Sequence, residues 1–299
     1  MKFRFSSFEY LLKILAEEKI GAEDYAIKRE SFISGKSEAD ILIDLDRRIA
    51  VTRAALDRGR CESQRSLSGL TDGAAVKFAT RSRVLVSDDL FSRAIGYALA
   101  VNEVNACGGK VVAFPTAGSS GIVPGAIWAW WDTRGPGGAE PPYDERLRGA
   151  FLNASLVGVL IAQNATLAGS EGGCQAECGA AGAMASAAIA FLEGLSLEQR
   201  FGAAALALKN SLGLACDPIA GLVEVPCVKR NAFVAAASLV AVELVLAGIE
   251  SAVPFDEVVA AMKSIGDSLP QSIKENAEGG LAATATGIKY KAKMAQTQN

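Results

Sequence analysis

The stretch Ala180–Leu192, AAGAMASAAIAFL, carries no charge and is more than half alanine. Alanine is the strongest helix former, and a helix that is apolar all round has to be buried all round. The stretch therefore reads as a core helix with small residues at its contacts. Two further runs, Phe151–Leu167 and Ala232–Ile249, share its richness in Ala, Val and Leu. None reaches the roughly 20 uninterrupted apolar residues of a membrane span: Gln163 and Asn164 break one run and Glu243 falls inside the other.

The remaining chain reads as helices too. Ser7 precedes Phe8, Leu11, Leu12 and Leu15, spaced for one helical face. Ser37 with Asp40 resembles a capping box, followed by a stripe of Leu42, Leu45, Ile49, Thr52 and Leu56 that runs to Gly59. Another helix follows Ser87 as far as Gly108-Gly109, and a second capping box, Ser196 with Gln199, opens one that should end at Gly213. Gly69–Lys77 reads as a loop, and Thr133–Tyr143 (TRGPGGAEPPY) as a surface excursion or subdomain seam. The expected fold is mainly α, a compact multi-helix domain over residues 1–299 with Gly/Cys-rich loops forming its site.

At 299 residues the chain can bury a core without disulfides. Lys plus Arg total 30 against 33 for Asp plus Glu, with no long basic run, which argues against nucleic acid as partner. Met1–Tyr10 shows no secretory pattern, so a cytoplasmic location is expected and the six cysteines should be reduced. There is no histidine. Proton transfer must then come from Lys, Asp, Glu, Tyr, Cys, a metal-bound group or another polypeptide.

Four stretches break the helical periodicity: Pro115–Gly125, Gly169–Gly182, Gly213–Asn231 and Glu278–Gly287. In GSEGGCQAECGAAG, Gly172 and Gly173 let the backbone approach whatever Cys174 binds; in GLACDPIAGLVEVPCVKRN, Cys216 precedes Asp-Pro and Cys227 follows Pro226. Three thiolates on two rigid loops suit an iron-sulfur cluster, whereas the pairs of C-x-x-C or added His of a zinc site are absent. Spacing alone leaves a metal site and buried inert thiols both open. Three ligands on a four-iron cube leave one iron without protein sulfur, free to act as a Lewis acid on a hydroxyl, and the reaction class that follows is hydration or dehydration. Thr116, Ser119 and Ser120, among glycines, could cradle a carboxylate, or the loop is only a turn. Neither G-K-[ST] nor G-x-G-x-x-G occurs in it, which disfavours a nucleotide cofactor. Lys229-Arg230-Asn231 reads first as a solvated helix start and second as a carboxylate-orienting group beside Cys227. Cys61 and Cys107 have no assigned role.

Over nearly its whole length the chain resembles the alpha subunit of the iron-sulfur L-serine dehydratases. The resemblance is densest in NEVNACGG (102–109), FPTAGSSGIVPG (114–125), NATLAGSEGGCQAECGAAGAMA (164–185), LGLACDPIAGLVEVPCVKRNA (212–232) and GGLAATATG (279–287). It implies an oxygen-sensitive 4Fe-4S cluster, no pyridoxal phosphate, and conversion of L-serine to pyruvate and ammonia in amino-acid degradation and gluconeogenesis. The family's ligands, the Cys of its GCQ, CDP and VPC motifs, fall on Cys174, Cys216 and Cys227. Cys178 departs from the apolar residue common there. Because no Cys follows Cys227, a ligand from a C-terminal tail is not available in this sequence. The resemblance further implies a heterodimer with a beta subunit that brings Ser and His near the site and supplies the base; no catalytic base is identified in this chain. Candidate substrate contacts are Thr116, Ser119, Ser120 and Asn231, with Lys77 a weaker one. A desulfidase acting on L-cysteine is the enzymatic alternative, and a non-enzymatic helical scaffold with incidental thiols the other.

Overall fold

A computed structural model describes residues 3–66, 68–136 and 140–297. Positions 137–139 of the expected 133–143 excursion lie outside the described residues. Among those residues the structure is helical, with no strand and two isolated bridges, Arg65–Asp72 and Cys216–Lys274.

The alanine-rich stretch is a helix, α9 (Ala180–Leu192), buried at every position but Phe191. Around it pack α6 (Ile122–Arg134), α7 (Glu145–Asn164), α10 (Leu197–Lys209) and α11 (Cys227–Leu246). Four helices can close on one axis because its side chains are small: a Cβ at Gly182 would lie 2.9 Å from Val234 of α11. The polar atom of this interior is satisfied locally, since the Ser186 hydroxyl donates to the Gly182 carbonyl at 2.8 Å. Gln163 and Asn164 lie exposed at the end of α7, and Glu243 faces outward from α11. Among the described residues no helix is long and apolar enough to cross a membrane.

A second layer continues from α6 through α5 (Asp89–Ala106) to α3 (Glu38–Cys61). Here the backbones nearly touch. A Cβ at Gly125 would stand 2.7 Å from the Ala98 nitrogen, and one at Gly59 would stand 2.2 Å from the Ala100 carbonyl oxygen. Thr52, the polar member of the α3 stripe, is buried because its hydroxyl accepts from the Trp128 indole at 2.8 Å. Of the N-terminal helices, α2 (Ala22–Ser34) packs on α3 and α7, whereas α1 (Phe8–Glu18) lies against α10 and α12 (Phe255–Ser268), with Phe8 stacked on Phe201. Ser7 caps α1, and Asp256, in the first turn of α12, accepts from the Phe8 amide at 2.9 Å.

Several boundaries differ from the sequence expectation. The Ser196–Gln199 capping box is present, but α10 ends at Lys209 rather than at Gly213. Asp88, not Ser87, caps α5 through its carboxylate. Within Gly69–Lys77 the backbone already turns helical, giving α4 (Ala74–Ala79), because Glu103 accepts from the otherwise unpaired Ala74 and Ala75 amides at 2.6 and 2.8 Å. Gly169–Gly182 contains less loop than its glycines imply. It forms a one-turn α8 (Gly169–Gly172) and then a wide π turn, Gln175–Gly179, which runs straight into α9.

Candidate functional site

The thiols gather where three chain segments meet. Cys174 sits between α8 and the π turn, Cys178 lies inside that turn, and Cys227 is the first residue of α11; of the four, Cys216 alone stands on irregular chain. π turns of this kind recur at functional sites, since the extra residue re-aims a side chain without ending the helix. Gly173 is required by its backbone, with φ of +74°, and by space, since a Cβ there would lie 2.9 Å from the Leu214 carbonyl oxygen. The fully buried Gln175 amide then joins the segments, donating to the Met262 carbonyl at 2.8 Å and accepting from the Gly213 amide at 2.9 Å. Cys216 is clamped on both sides: its amide donates to Ile273 at 2.9 Å and its carbonyl accepts from Glu275 at 2.7 Å.

Cys174, Cys178 and Cys216 are buried and Cys227 is partly so. The Cys178 and Cys216 thiols are turned on the Cys174 sulfur, and the Arg230 guanidinium faces it, so Cys174 is held below the usual thiol range. The same contact pushes Cys216 up. Cys227 stands further out; burial, followed by the Cys174 charge, pushes its thiol up to about 12. Arg230 is no solvated helix start. Its side chain is 17% exposed, donates to the Ala215 carbonyl at 2.9 Å and lies 3.8 Å from Asp217, because α11 begins at Cys227 and its first turn points at the thiols. Lys229, its neighbour, stands at the mouth of the groove between α10 and α11.

Two carboxylates join the sulfurs. The Cys216 thiol is 3.5 Å from Glu177, and the donor atoms of Glu177, Cys216 and Glu275 lie within 4.8 Å of one another. Burial pushes the Glu177 carboxyl up to about 7, against the opposing pull of a hydrogen bond from Thr116. Asp217 accepts from the Leu281 amide at 2.7 Å, which brings the fourth irregular stretch to the site; Gly280, with φ of +57°, leaves room for that carboxylate.

The Pro115–Gly125 loop is brought to the same place. Thr116 reaches Glu177, whereas the Ser119 and Ser120 hydroxyls are fully buried. Ser119 donates to the Phe114 carbonyl at 3.0 Å and Ser120 meets the Asn102 amide at 3.4 Å. Asn231 ties this loop to α11. Its oxygen accepts from the Gly121 amide at 2.9 Å, and its nitrogen donates to the Gly118 and Cys227 carbonyls at 2.8 and 2.9 Å. Lys77 is 69% exposed, with its amine on the Asp72 carbonyl at 2.6 Å. Sequence reasoning did not single out Glu177, Glu275, Gln175 or the buried Glu224, which accepts from Ser66 and Ser68 at 2.5 and 2.7 Å. Glu177 follows Cys174 by three residues in a stretch already marked by its glycines, a signal that was available; Glu275 belongs to no motif.

A helical bundle that gathers four thiols, three of them buried, beside an arginine and two carboxylates carries a donor set able to hold a metal. Residues 11–282 match the family described as "Serine dehydratase alpha chain", and the chain belongs to that family. It is 42% identical over 292 residues to a "Probable L-serine dehydratase, alpha chain" of Bacillus subtilis, covering 97% of this chain and 95% of that relative. To the "L-serine dehydratase, alpha chain" of Peptoniphilus asaccharolyticus it is 39% identical, covering 94% and 95%. Against an "L-serine dehydratase" of Streptomyces coelicolor, 36% identical, it covers 94% of itself but 61% of the relative.

Proposed function

We propose that this chain is the catalytic alpha chain of an L-serine dehydratase, a lyase that converts L-serine to pyruvate and ammonia, with residues 1–299 acting as one catalytic domain in the cytoplasm. The observation that carries the reading is the meeting of Cys174, Cys216 and Cys227, from three separate segments, in one largely buried group within the family-matched region.

The donors fit a sulfur-liganded iron cluster. They are soft, they come from segments fixed by backbone hydrogen bonds, and Arg230 offsets part of the thiolate charge. Zinc sites are usually completed by His or by paired C-x-x-C thiolates, and this chain has neither. A 4Fe-4S cluster held by these three residues would supply, when bound, a Lewis acid for the substrate hydroxyl. Cys178, against the Cys174 sulfur, is packing rather than ligand in this reading.

The chain's own residues do the rest of the positioning. Thr116 and Glu177 line the approach to Cys216 and are placed to hydrogen-bond the substrate's carboxylate and amino group. Ser119, Ser120 and Asn231 act through the loop whose backbone they hold. Lys77 stays the weakest of these candidates, its amine turned to the Asp72 carbonyl. Removal of the α-proton and loss of the β-hydroxyl as water give an enamine, which tautomerises and is hydrolysed to pyruvate and ammonia. The α-proton goes to a base on a partner beta chain, consistent with a chain that lacks histidine and with relatives named as alpha chains.

The test is pyruvate release from L-serine by anaerobically reconstituted protein together with its partner chain. Turnover that needs iron, sulfide and the partner, but not pyridoxal phosphate, supports the proposal. Turnover by iron-free protein would end it.

A further inference from the structure

A cavity of about 530 Å³ lies away from the thiols, between α2, α3 and α7. Its floor is apolar: Phe114 and Phe151, with ring centroids 5.6 Å apart, together with Leu156, Val159, Ile49 and Met184. Gly158 keeps this floor open, because a Cβ there would come to 3.1 Å of the Met184 methyl. The volume lies within the range of small-molecule sites, and the mixture of apolar lining with a few polar groups at one side is what such sites share.

The charges are all at the mouth. Arg29, Glu30, Lys36, Asp44 and Arg48 stand there. Lys36 and Asp44 neutralise each other at 2.5 Å. That leaves two guanidiniums against the one carboxylate of Glu30, and neither Arg29 nor Arg48 has an ion-pair partner among the described residues. Arg29 is further constrained: its guanidinium carbon lies 5.6 Å over the Phe5 ring, and its Nε is buried without an acceptor. Arg29 lines the cavity, and a guanidinium without an ion-pair partner offers an anionic oxygen a charge-assisted bond, which favours a carboxylate over a neutral carbonyl.

We propose that this cavity is a second ligand site, for a small amphipathic carboxylate whose apolar body lies on Phe114, Phe151 and Met184 and whose carboxylate meets Arg29. Serine and pyruvate are too polar to fill such a floor, so the ligand is not the substrate of the thiol site. The site communicates with that centre through a short piece of chain. Phe114 and Pro115 line the cavity, and the next residue, Thr116, is the loop side chain that reaches Glu177 beside Cys216.

Titration calorimetry of the 299-residue chain with octanoate tests this directly, with octylamine as the control of similar apolar length and opposite charge. Saturable one-to-one binding of octanoate is expected, at least tenfold tighter than octylamine. Arg29→Gln should weaken it at least tenfold, and Ser155→Trp, at the exposed rim, should abolish it while leaving the unfolding temperature within a few degrees of wild type. Failure of octanoate to bind, or binding of both amphiphiles alike, would overturn the proposal whether or not either variant folds. Because the readout is binding, neither result depends on the thiol site.

Discussion

Replacing Asn231 by Ala removes a buried amide that makes three hydrogen bonds at 2.8–2.9 Å between α11 and the Pro115–Gly125 loop. The consequences for its partners are unequal. The Gly118 carbonyl keeps the Asn102 amide at 3.1 Å, but the Gly121 amide loses its acceptor in a place where water has no access. Leaving one buried donor unpaired costs about 1–3 kcal/mol, and the lost bonds add about 1 kcal/mol more. The expected loss is therefore about 2–4 kcal/mol, read from urea unfolding followed by circular dichroism. Asn231→Asp should be no better, since its second oxygen would face the Gly118 and Cys227 carbonyls that now accept from Nδ2. In both variants serine turnover should fall along with the loop's order. If Asn231→Ala unfolds within about 0.5 kcal/mol of wild type while KM alone rises, Asn231 does not act through the loop and must touch substrate directly.

Gln175→Leu leaves the Gly213 amide unpaired, while the Met262 carbonyl keeps its bond within α12, and should cost about 1–3 kcal/mol, with iron content falling because the 213–216 segment is released; iron per chain and thermal unfolding check both. Gly59→Ala pushes a Cβ onto the Ala100 carbonyl oxygen, and a loss of about 1–3 kcal/mol is expected from overpacking, measured by thermal unfolding with the iron content of the folded fraction unchanged. Cys61→Ser and Cys107→Ser, at an exposed and a half-buried position outside the thiol group, should keep full iron content and turnover. L-Serine should be turned over in preference to L-cysteine, as judged by pyruvate release from each at equal concentration; sulfide release outrunning pyruvate from serine would move the substrate assignment to the desulfidase.

The helical fold was legible because its signals are local. Ser7, Ser37 and Ser196 each place a side-chain oxygen at a helix start, and the AAGAMASAAIAFL run has no polar face to show to water. Helix ends were less legible. Cys227 begins α11 five residues before the apolar run at Ala232, because the first turn carries Lys229, Arg230 and Asn231 and so looks polar in sequence. That misreading hid the main electrostatic fact of the site: Arg230, three residues from Cys227, turns inward to the Cys174 sulfur. The π turn was hidden for a different reason. Glycines flank Cys174 and Cys178, and composition does not distinguish a loop from a wide helical turn stabilised by the Gln175 amide. Glu275 reaches the site, and Glu224 its own buried serines, through contacts with residues dozens of positions away, a kind of information that no spacing rule carries.

In the proposed enzyme Cys174, Cys216 and Cys227 together hold one iron-sulfur cluster. The most direct test of that assignment is iron and acid-labile sulfide analysis, with the visible absorption spectrum, of anaerobically reconstituted wild type beside the three single Cys→Ala variants. About four irons and four sulfides per wild-type chain are expected, with loss of the intact cluster, its absorption and serine turnover in each variant. A Cys216→Ala protein that keeps wild-type iron, sulfide and turnover would contradict the assignment.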